Sequence, residues 1–269
     1  TVEDGRAVRL AGDPDHPYTN GFLCTKVNRY VERTYHADRL QFPMRRVGRK
    51  GEGKFERVSW DAALTEIADK LRAVIRSPDG SQAILPYSYA GTMGVVQGSS
   101  MDRRFFHAIG ASRLDRTICS MAGTYGMRFT VGANIGADAE GIPQSDLVLL
   151  WGTNTLTSNP HLWPFVLHAR EKGARIIAID PIRTRTAAQC EEWLGIRPGT
   201  DAALALGMMH VVFAQGLEDR DFLAKHTLGE RELRERVSEY PPSRVPSITG
   251  LSEDTVVPLC TIYGKARAA

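Results

Sequence analysis

Hydrophobic residues recur at helical spacing in the stretch that follows Ser59. Four apolar residues stand three or four positions apart: Leu64, Ile67, Leu71 and Val74. This spacing lines one face of an α-helix. Ser59 is a suitable N-cap, and residues 78–80, Pro-Asp-Gly, end the pattern. The sequence therefore predicts an amphipathic helix from about residue 60 to residue 75.

Two continuous apolar runs, at 146–151 and 175–179, predict buried strands. Apolar residues that do not alternate with polar ones are typical of parallel strands covered on both faces. Between the two runs, Pro160 is placed for the first turn of a helix, and Gly173 for its end. The order strand, helix, strand predicts a βαβ crossover in a parallel sheet.

The remaining pattern divides the chain into three segments. Residues 1–45 lack helical periodicity and are rich in turn formers, with a hairpin pattern around Asp4-Gly5. An apolar run at 83–87 predicts a further buried strand, which a glycine loop at 91–94 and a helix at about 98–109 follow. We therefore predict an α/β fold. A small, loop-rich β segment (1–45) and an incomplete α/β domain (46–114) precede a Rossmann-like parallel sheet domain (115–269).

Charge and cysteine content exclude several classes of protein. Lys and Arg number 34 against 31 Asp and Glu, which is too even a balance for a nucleic-acid binder. No apolar run approaches the roughly 20 residues that span a bilayer, so we expect no direct membrane insertion. The four cysteines are far apart, which argues against a disulfide framework and favours the cytoplasm. Because the chain opens inside a hairpin pattern and ends without a stop signal, we expect an excerpt of a longer polypeptide.

Three loops are predicted to meet at the carboxyl edge of the parallel sheet, where ligands of open α/β folds bind. Their candidate binding residues are Gly152, Thr153 and Asn154, then Asp180, Pro181 and Arg183, and finally Gly199, Thr200 and Asp201. Asp180 could accept hydrogen bonds from ribose hydroxyls, and Arg183 could pair with a pyrophosphate. No GxGxxG follows a strand, so a dinucleotide other than a nicotinamide one is favoured. Ordinary strand ends and helix caps would give the same pattern.

The cysteines are ambiguous when each is considered alone. Cys119 lies among small residues, and a buried small hydrophobic side chain is the ordinary interpretation for it, as for Cys190 and Cys260. Cys24 is a lone cysteine near a lysine, which by itself indicates no function, and one thiolate cannot hold an iron–sulfur cluster, which needs four ligands.

The ordered set of motifs resembles a known family. The matching stretches are 4–6 (Asp-Gly-Arg), 12–17 (Gly-Asp-Pro-Asp-His-Pro), 21–26 (Gly-Phe-Leu-Cys-Thr-Lys), 42–48, 55–61, 119–132, 151–154, 179–181 and 198–201. Together they are similar to the bis-molybdopterin guanine dinucleotide oxidoreductases, such as formate dehydrogenase and the dissimilatory-type reductases. The resemblance implies that the small β-rich segment 1–45 is part of an iron–sulfur segment. Within it, Cys24 would be the fourth cluster ligand, and Lys26 would lie between cluster and pterin. The resemblance also implies that Cys119 binds molybdenum or tungsten and that the three loops bind the guanine dinucleotides.

The resemblance implies an oxidoreductase that transfers an oxygen atom or a hydride at a molybdenum or tungsten centre. Electrons would pass through a 4Fe–4S cluster in the full-length protein, between a small-molecule redox substrate and an electron-transfer partner protein or domain. Ser120 stands where the family's formate dehydrogenases have histidine, which disfavours formate. Two alternatives are a non-catalytic electron-transfer or structural subunit without the metal, and a generic nucleotide-binding domain.

Overall fold

The computed structural model describes residues 1–89, 91, 98, 100–118 and 120–269. Its strands are β1 (Val2–Glu3), β2 (Arg6–Ala7), β3 (Met44–Arg46), β4 (Phe55–Arg57), β5 (Leu147–Trp151), β6 (Arg175–Ile179) and β7 (Glu192–Leu194). Its helices are α1 (Thr25–Asn28), α2 (Tyr30–Thr34), α3 (Trp60–Ile75), α4 (Met101–Ala108), α5 (Met121–Val131), α6 (Thr155–Ser158), α7 (Trp163–Glu171), α8 (Asp201–Ala214), α9 (Arg220–His226), α10 (Glu230–Ser238), α11 (Val245–Thr249) and α12 (Glu253–Lys265). In these ranges no helix is both long and apolar enough to cross a membrane.

The chain forms two compact units, and one of them is discontinuous in sequence. Residues 1–31 join residues 137–269 in the first unit, whereas residues 32–136 make the second. The first unit therefore carries the Cys24 segment together with the parallel sheet. The expected α/β class is confirmed by the mixture of helices with a parallel sheet.

The sheet of the first unit has the order β5-β6-β7, and both pairings are parallel. Leu147 pairs with Arg175 at one end of β5, and Trp151 pairs with Ile179 at the other. With α7 between the two strands, the predicted βαβ crossover is confirmed. The crossover helix begins later than Pro160, because Pro164 takes the first-turn position and the short α6 precedes it.

Helices cover both faces of this sheet. On one face, α8, α11 and α12 pack against it through buried residues that include Leu204, Val211, Val245, Val256 and Cys260. On the other face, α7 packs through Trp163, Val166 and Ala169. Burial on two sides explains why the strand sequences are apolar without alternation. The antiparallel β1–β2 hairpin of the same unit turns at Asp4 and Gly5, as expected, and both have positive φ.

Close packing of α8 against α11 depends on a glycine. A Cβ added at Gly207 would lie 2.5 Å from Cγ2 of Val245, a fully buried and β-branched side chain. We expect Gly207→Ala to lower the free energy of unfolding by about 1–3 kcal/mol through overpacking. Chemical denaturation measures the change. Gly126→Ala in α5 is the control, because a Cβ there meets no atom within 4 Å and alanine is the better helix former. Equal unfolding midpoints for both variants would contradict the packing argument.

The second unit contains the β3–β4 hairpin and helices α3, α4 and α5. The helix predicted after Ser59 is confirmed, since the Ser59 side chain accepts a hydrogen bond from the Ala62 N–H (3.1 Å). The strand predicted at 83–87 is wrong. Residues 80–83 form a 3-10 turn and residues 84–89 form no strand, because Pro86 has no N–H for a ladder and Tyr87 is 70% exposed.

Several large apolar side chains of the second unit are exposed to solvent. They include Trp60, Leu64, Ile67 and Phe129, the last at 88% exposure. Among the described residues of this unit, Ala111 alone is buried. The apolar face that the sequence predicts on α3 is present, but no described residue of this unit buries Leu64 or Ile67 on that face.

Candidate functional site

The ends of β5 and β6 bring the first two predicted loops together. Gly152 donates its N–H to the carbonyl of Ile179 at 2.8 Å, so the two strands leave the sheet side by side. The Asp180 N–H donates to the Leu194 carbonyl (3.2 Å), which ties the second loop to β7. Gly152 and Asp180 consequently begin adjacent loops at one edge.

A tryptophan connects the third loop to the same edge. The indole Nε1–H of Trp151 donates to Oδ1 of Asp201 at 2.7 Å, across 50 positions of sequence. Asp201 is the first residue of α8 and is exposed. Its Oδ2 makes no hydrogen bond within the part of the chain that the structure describes, so one carboxylate oxygen is open to a ligand.

Asp180 is oriented by its own loop and by a second tryptophan. Its Oδ1 accepts from the Ile182 N–H (2.9 Å), and its carbonyl accepts from the Trp193 indole N–H (2.8 Å). Sequence reasoning placed Trp151 in a motif without giving its side chain a role, and it missed Trp193. The signal available was a tryptophan at or next to a strand end, since a buried or half-buried indole seeks an acceptor for its single N–H.

Asn154 has a structural hydrogen bond as well as a place at the edge. Its Oδ1 accepts from the hydroxyl of the fully buried Thr186 (2.8 Å), and that hydroxyl accepts from the Leu156 N–H (3.0 Å). The side chains of Thr153 and Thr155 lie 3.4 Å apart. Asn154 therefore has its amide nitrogen to offer a ligand, and one lone pair of its oxygen is already used by Thr186.

Two glycines leave room at this edge. Gly152 (φ +62°) and Gly199 (φ +78°) have left-handed backbones, and a Cβ at either would meet no atom within 4 Å. Thr200 uses its hydroxyl to donate to the Arg197 carbonyl (2.7 Å) at the start of α8, while Pro181 and Arg183 are exposed. Open glycine loops, a helix N-terminus and carboxylate acceptors are a donor and acceptor set that fits a nucleotide.

Cys24 is a half-buried thiol that directly precedes α1. The Val27 N–H, followed by the N–H and charge of Lys26, lowers the pKa of Cys24, and burial opposes the shift. A thiolate favoured in this way fits an iron ligand. Lys26 is exposed two residues further on. Among the residues described, no three His, Cys, Asp or Glu side chains form a metal-binding group, so Cys24 offers a single ligand.

The thiols of Cys190 and Cys260 have the opposite character. Burial raises the pKa of Cys190 to about 11 and that of Cys260 to about 12. Cys190 donates its S–H to the Thr186 carbonyl at 3.3 Å, and Cys260 is completely buried. Both behave as small buried hydrophobic residues, which the sequence predicts.

Cys119 lies outside the described residues, as does most of the predicted loop at 91–94. The residues just before Cys119 are held by Tyr89, whose hydroxyl accepts from the N–H groups of Thr117 (3.2 Å) and Ile118 (3.4 Å). Sequence reasoning did not find Tyr89, because nothing local relates it to a position almost thirty residues later.

Comparison with known families decides what this combination of segments is. The family model of the molybdopterin oxidoreductases matches residues 39–257, and that of the molybdopterin oxidoreductase Fe4S4 domain matches residues 1–36. The chain belongs to the molybdopterin oxidoreductase family. The resemblance seen in the sequence motifs is thereby confirmed. The two matches support a molybdenum–pterin cofactor and an iron–sulfur cofactor as those of the family.

Individual proteins match between 78% and 98% of the chain. A probable oxidoreductase, YoaE of Bacillus subtilis, is 42% identical over 263 residues, which is 98% of this chain and 38% of YoaE. Dimethyl sulfoxide reductase DmsA of Haemophilus influenzae is 36% identical over 78% of this chain and 28% of its own length. The solved structure of acetylene hydratase from Pelobacter acetylenicus has a TM-score of 0.72 at 33% identity, covering 92% of this chain and 34% of that protein. The chain therefore spans about a third of the length of these relatives.

Proposed function

We propose that the full-length protein is a molybdenum- or tungsten-dependent oxidoreductase with a bis-molybdopterin guanine dinucleotide centre and a 4Fe–4S cluster. The observation that carries the proposal is the meeting of three loops and two carboxylates, Asp180 and Asp201, at the carboxyl edge of the parallel sheet. In this proposal residues 115–269 are the Rossmann-like dinucleotide domain. Residues 1–45 are part of the iron–sulfur segment, and residues 46–114 are an incomplete α/β domain.

The carboxylates are assigned to the nucleoside. Asp180 accepts hydrogen bonds from ribose hydroxyls, and Asp201 accepts from guanine, whose N1–H and exocyclic amine are adjacent donors. Asp201 keeps this capacity although Trp151 occupies one site on Oδ1, because a carboxylate has about four lone-pair positions. Arg183 is assigned to the pyrophosphate, which suits its planar guanidinium.

The other residues at the edge are assigned to the phosphates and to the remaining atoms of the dinucleotide. The glycine loops at Gly152 and Gly199 allow close approach, since no side chain stands there. Thr153, the Asn154 amide nitrogen, Pro181 and Thr200 complete the lining. At the start of α8, the N–H groups before that of Ala203 have no intrahelical acceptor. These groups bind and orient the dinucleotide without changing its chemistry.

Two cysteines and a lysine are assigned to electron transfer and metal binding. When bound, the metal–pterin centre supplies oxygen-atom or hydride transfer, and the cluster supplies the electron path. Cys24 contributes one thiolate to the cluster, with a pKa lowered toward the ionised form. Lys26 places a cation beside that ligand, and Cys119 contributes a thiolate to the metal, a soft ligand of the kind that such metals accept.

The substrate is proposed to be a small redox-active molecule, and the electron partner a protein or domain. Ser120, in place of the histidine of the family's formate dehydrogenases, disfavours formate. The near balance of charges gives no reason to expect a nucleic-acid partner. A cytoplasmic location is proposed from the scarcity and separation of cysteines.

Elemental analysis of the purified full-length protein tests the proposal. We expect molybdenum or tungsten near one atom per chain, and iron near four, because these are the contents of one centre and one cluster. A non-catalytic subunit of the same fold would contain iron without molybdenum or tungsten. A generic nucleotide-binding domain would contain none of the three metals, and either result would refute the proposed function.

A further inference from the structure

The loop that precedes Cys24 is closed by contacts between its own residues. His16 accepts the N–H groups of Tyr18 (3.3 Å) and Thr19 (3.2 Å) on its Nδ1. Gly12 and Gly21 approach so closely that a Cβ on Gly12 would clash with the Gly21 backbone. The loop is therefore a preformed shape, but its closure alone does not attach it to the rest of the first unit.

Burial contributes little to holding this segment. Within residues 1–31, all of which the structure describes, no residue is buried, and Phe22 is 44% exposed. Because this segment buries little apolar surface, the position of the Cys24 loop depends on specific contacts with the rest of the first unit.

His161, between α6 and α7, supplies such a contact. Its Nε2–H donates to the Phe22 carbonyl at 3.2 Å, and the two rings meet edge to face with centroids 5.1 Å apart. Tyr18 stacks on Phe165 of α7 at 5.5 Å and lies 6.2 Å from the His161 ring. Because a carbonyl only accepts, this geometry requires the proton on Nε2.

We infer that His161 is a positioning residue for the iron–sulfur cluster: it holds the Phe22 carbonyl, two residues before Cys24, and so places the Cys24 thiolate. The inference rests on the proposed function, in which Cys24 ligates the cluster. His161 touches neither the thiol nor any reacting atom, and it acts through the backbone of the loop.

Variants of the full-length protein test the inference. We expect His161→Ala to bleach its cluster in air roughly five- to tenfold faster than the parent, the size that follows from losing one hydrogen bond and one ring contact. The electron paramagnetic resonance spectrum of the reduced cluster should change as well. His161→Gln keeps an N–H donor and should recover part of the lifetime, whereas His161→Phe keeps the ring alone.

His168→Ala is the matched control, because His168 is an exposed histidine on the adjoining α7. It should leave lifetime and spectrum unchanged. If His161→Ala behaves like His168→Ala while the parent contains iron, the inference is wrong and the proposed function stands. If the parent contains no iron, the proposed function fails and the inference falls with it. Should His161→Ala not fold, the comparison of His161→Gln with His161→Phe decides, and equal lifetimes would refute the role of the hydrogen bond.

Discussion

Replacing Cys119 with alanine in the full-length protein should abolish turnover while iron content stays unchanged. In the proposed function the Cys119 thiolate would complete a sulfur-rich ligand set, and the charge of the metal would keep the sulfur ionised. Alanine offers no ligand, whereas the cluster, for which Cys24 is the proposed ligand, would be unaffected. Turnover with a redox dye and a small-molecule oxidant, together with iron and molybdenum analysis, measures the outcome.

The opposite forecast follows if Cys119 is an ordinary small hydrophobic residue. Alanine would then cost at most about 1 kcal/mol of stability and leave activity intact. Cys190→Ala is a suitable control, because Cys190 is a half-buried thiol whose pKa is raised to about 11 by burial and which we place in no site. Near-normal turnover in Cys119→Ala, equal to that of the control, would refute the assignment.

Replacing Asp180 with alanine should lower the pterin dinucleotide content of the purified protein. Hydrogen bonds from ribose hydroxyls to a carboxylate contribute about 1.5–3 kcal/mol, so roughly ten- to a hundredfold weaker retention is expected. Extraction of the pterin and quantification of released guanosine monophosphate measure the change. The dinucleotide content of Asp180→Asn should lie between that of the parent protein and that of Asp180→Ala. The side-chain oxygen of asparagine can still accept from the Ile182 N–H, but it carries no charge.

Asp138→Ala separates loss of a loop hydrogen bond from loss of a ligand contact. Asp138 Oδ1 accepts from the N–H two residues later, that of Glu140 (3.1 Å), in the same local arrangement as Asp180 and Ile182. It lies in another loop, before β5, and should leave the dinucleotide content unchanged. Equal content in Asp180→Ala and Asp138→Ala would remove Asp180 from the site.

Local signals in the sequence were enough to predict the parallel pair β5 and β6 and the helix α3, but not the third strand of the sheet, β7. The apolar runs of β5 and β6, the glycine after α7 and the Ser59 cap each act within a few residues of the chain. Such signals depend on backbone preference and burial, which neighbouring residues determine. The confirmed elements are of this kind.

The features that sequence reasoning missed depend on distant residues. Trp151 finds Asp201 across 50 positions, and Tyr89 reaches Thr117 across 28. The run at 83–87 looked like a strand because its composition is apolar, but Pro86 removes a donor. The roles of Cys119 and of the edge residues stay predictions, as does the division into three segments.

The pairing of Phe22 with His161 also has a consequence for the timing of biosynthesis. The two residues are 139 positions apart, and synthesis proceeds at about 5–20 residues per second, so the surface that holds Phe22 emerges roughly 7–28 s after it. During that interval the Cys24 loop has left the ribosome without its partner. Assembly of the cluster on a correctly placed Cys24 is therefore expected to follow the folding of the crossover helix, and the nascent thiol would need protection from oxidants until then.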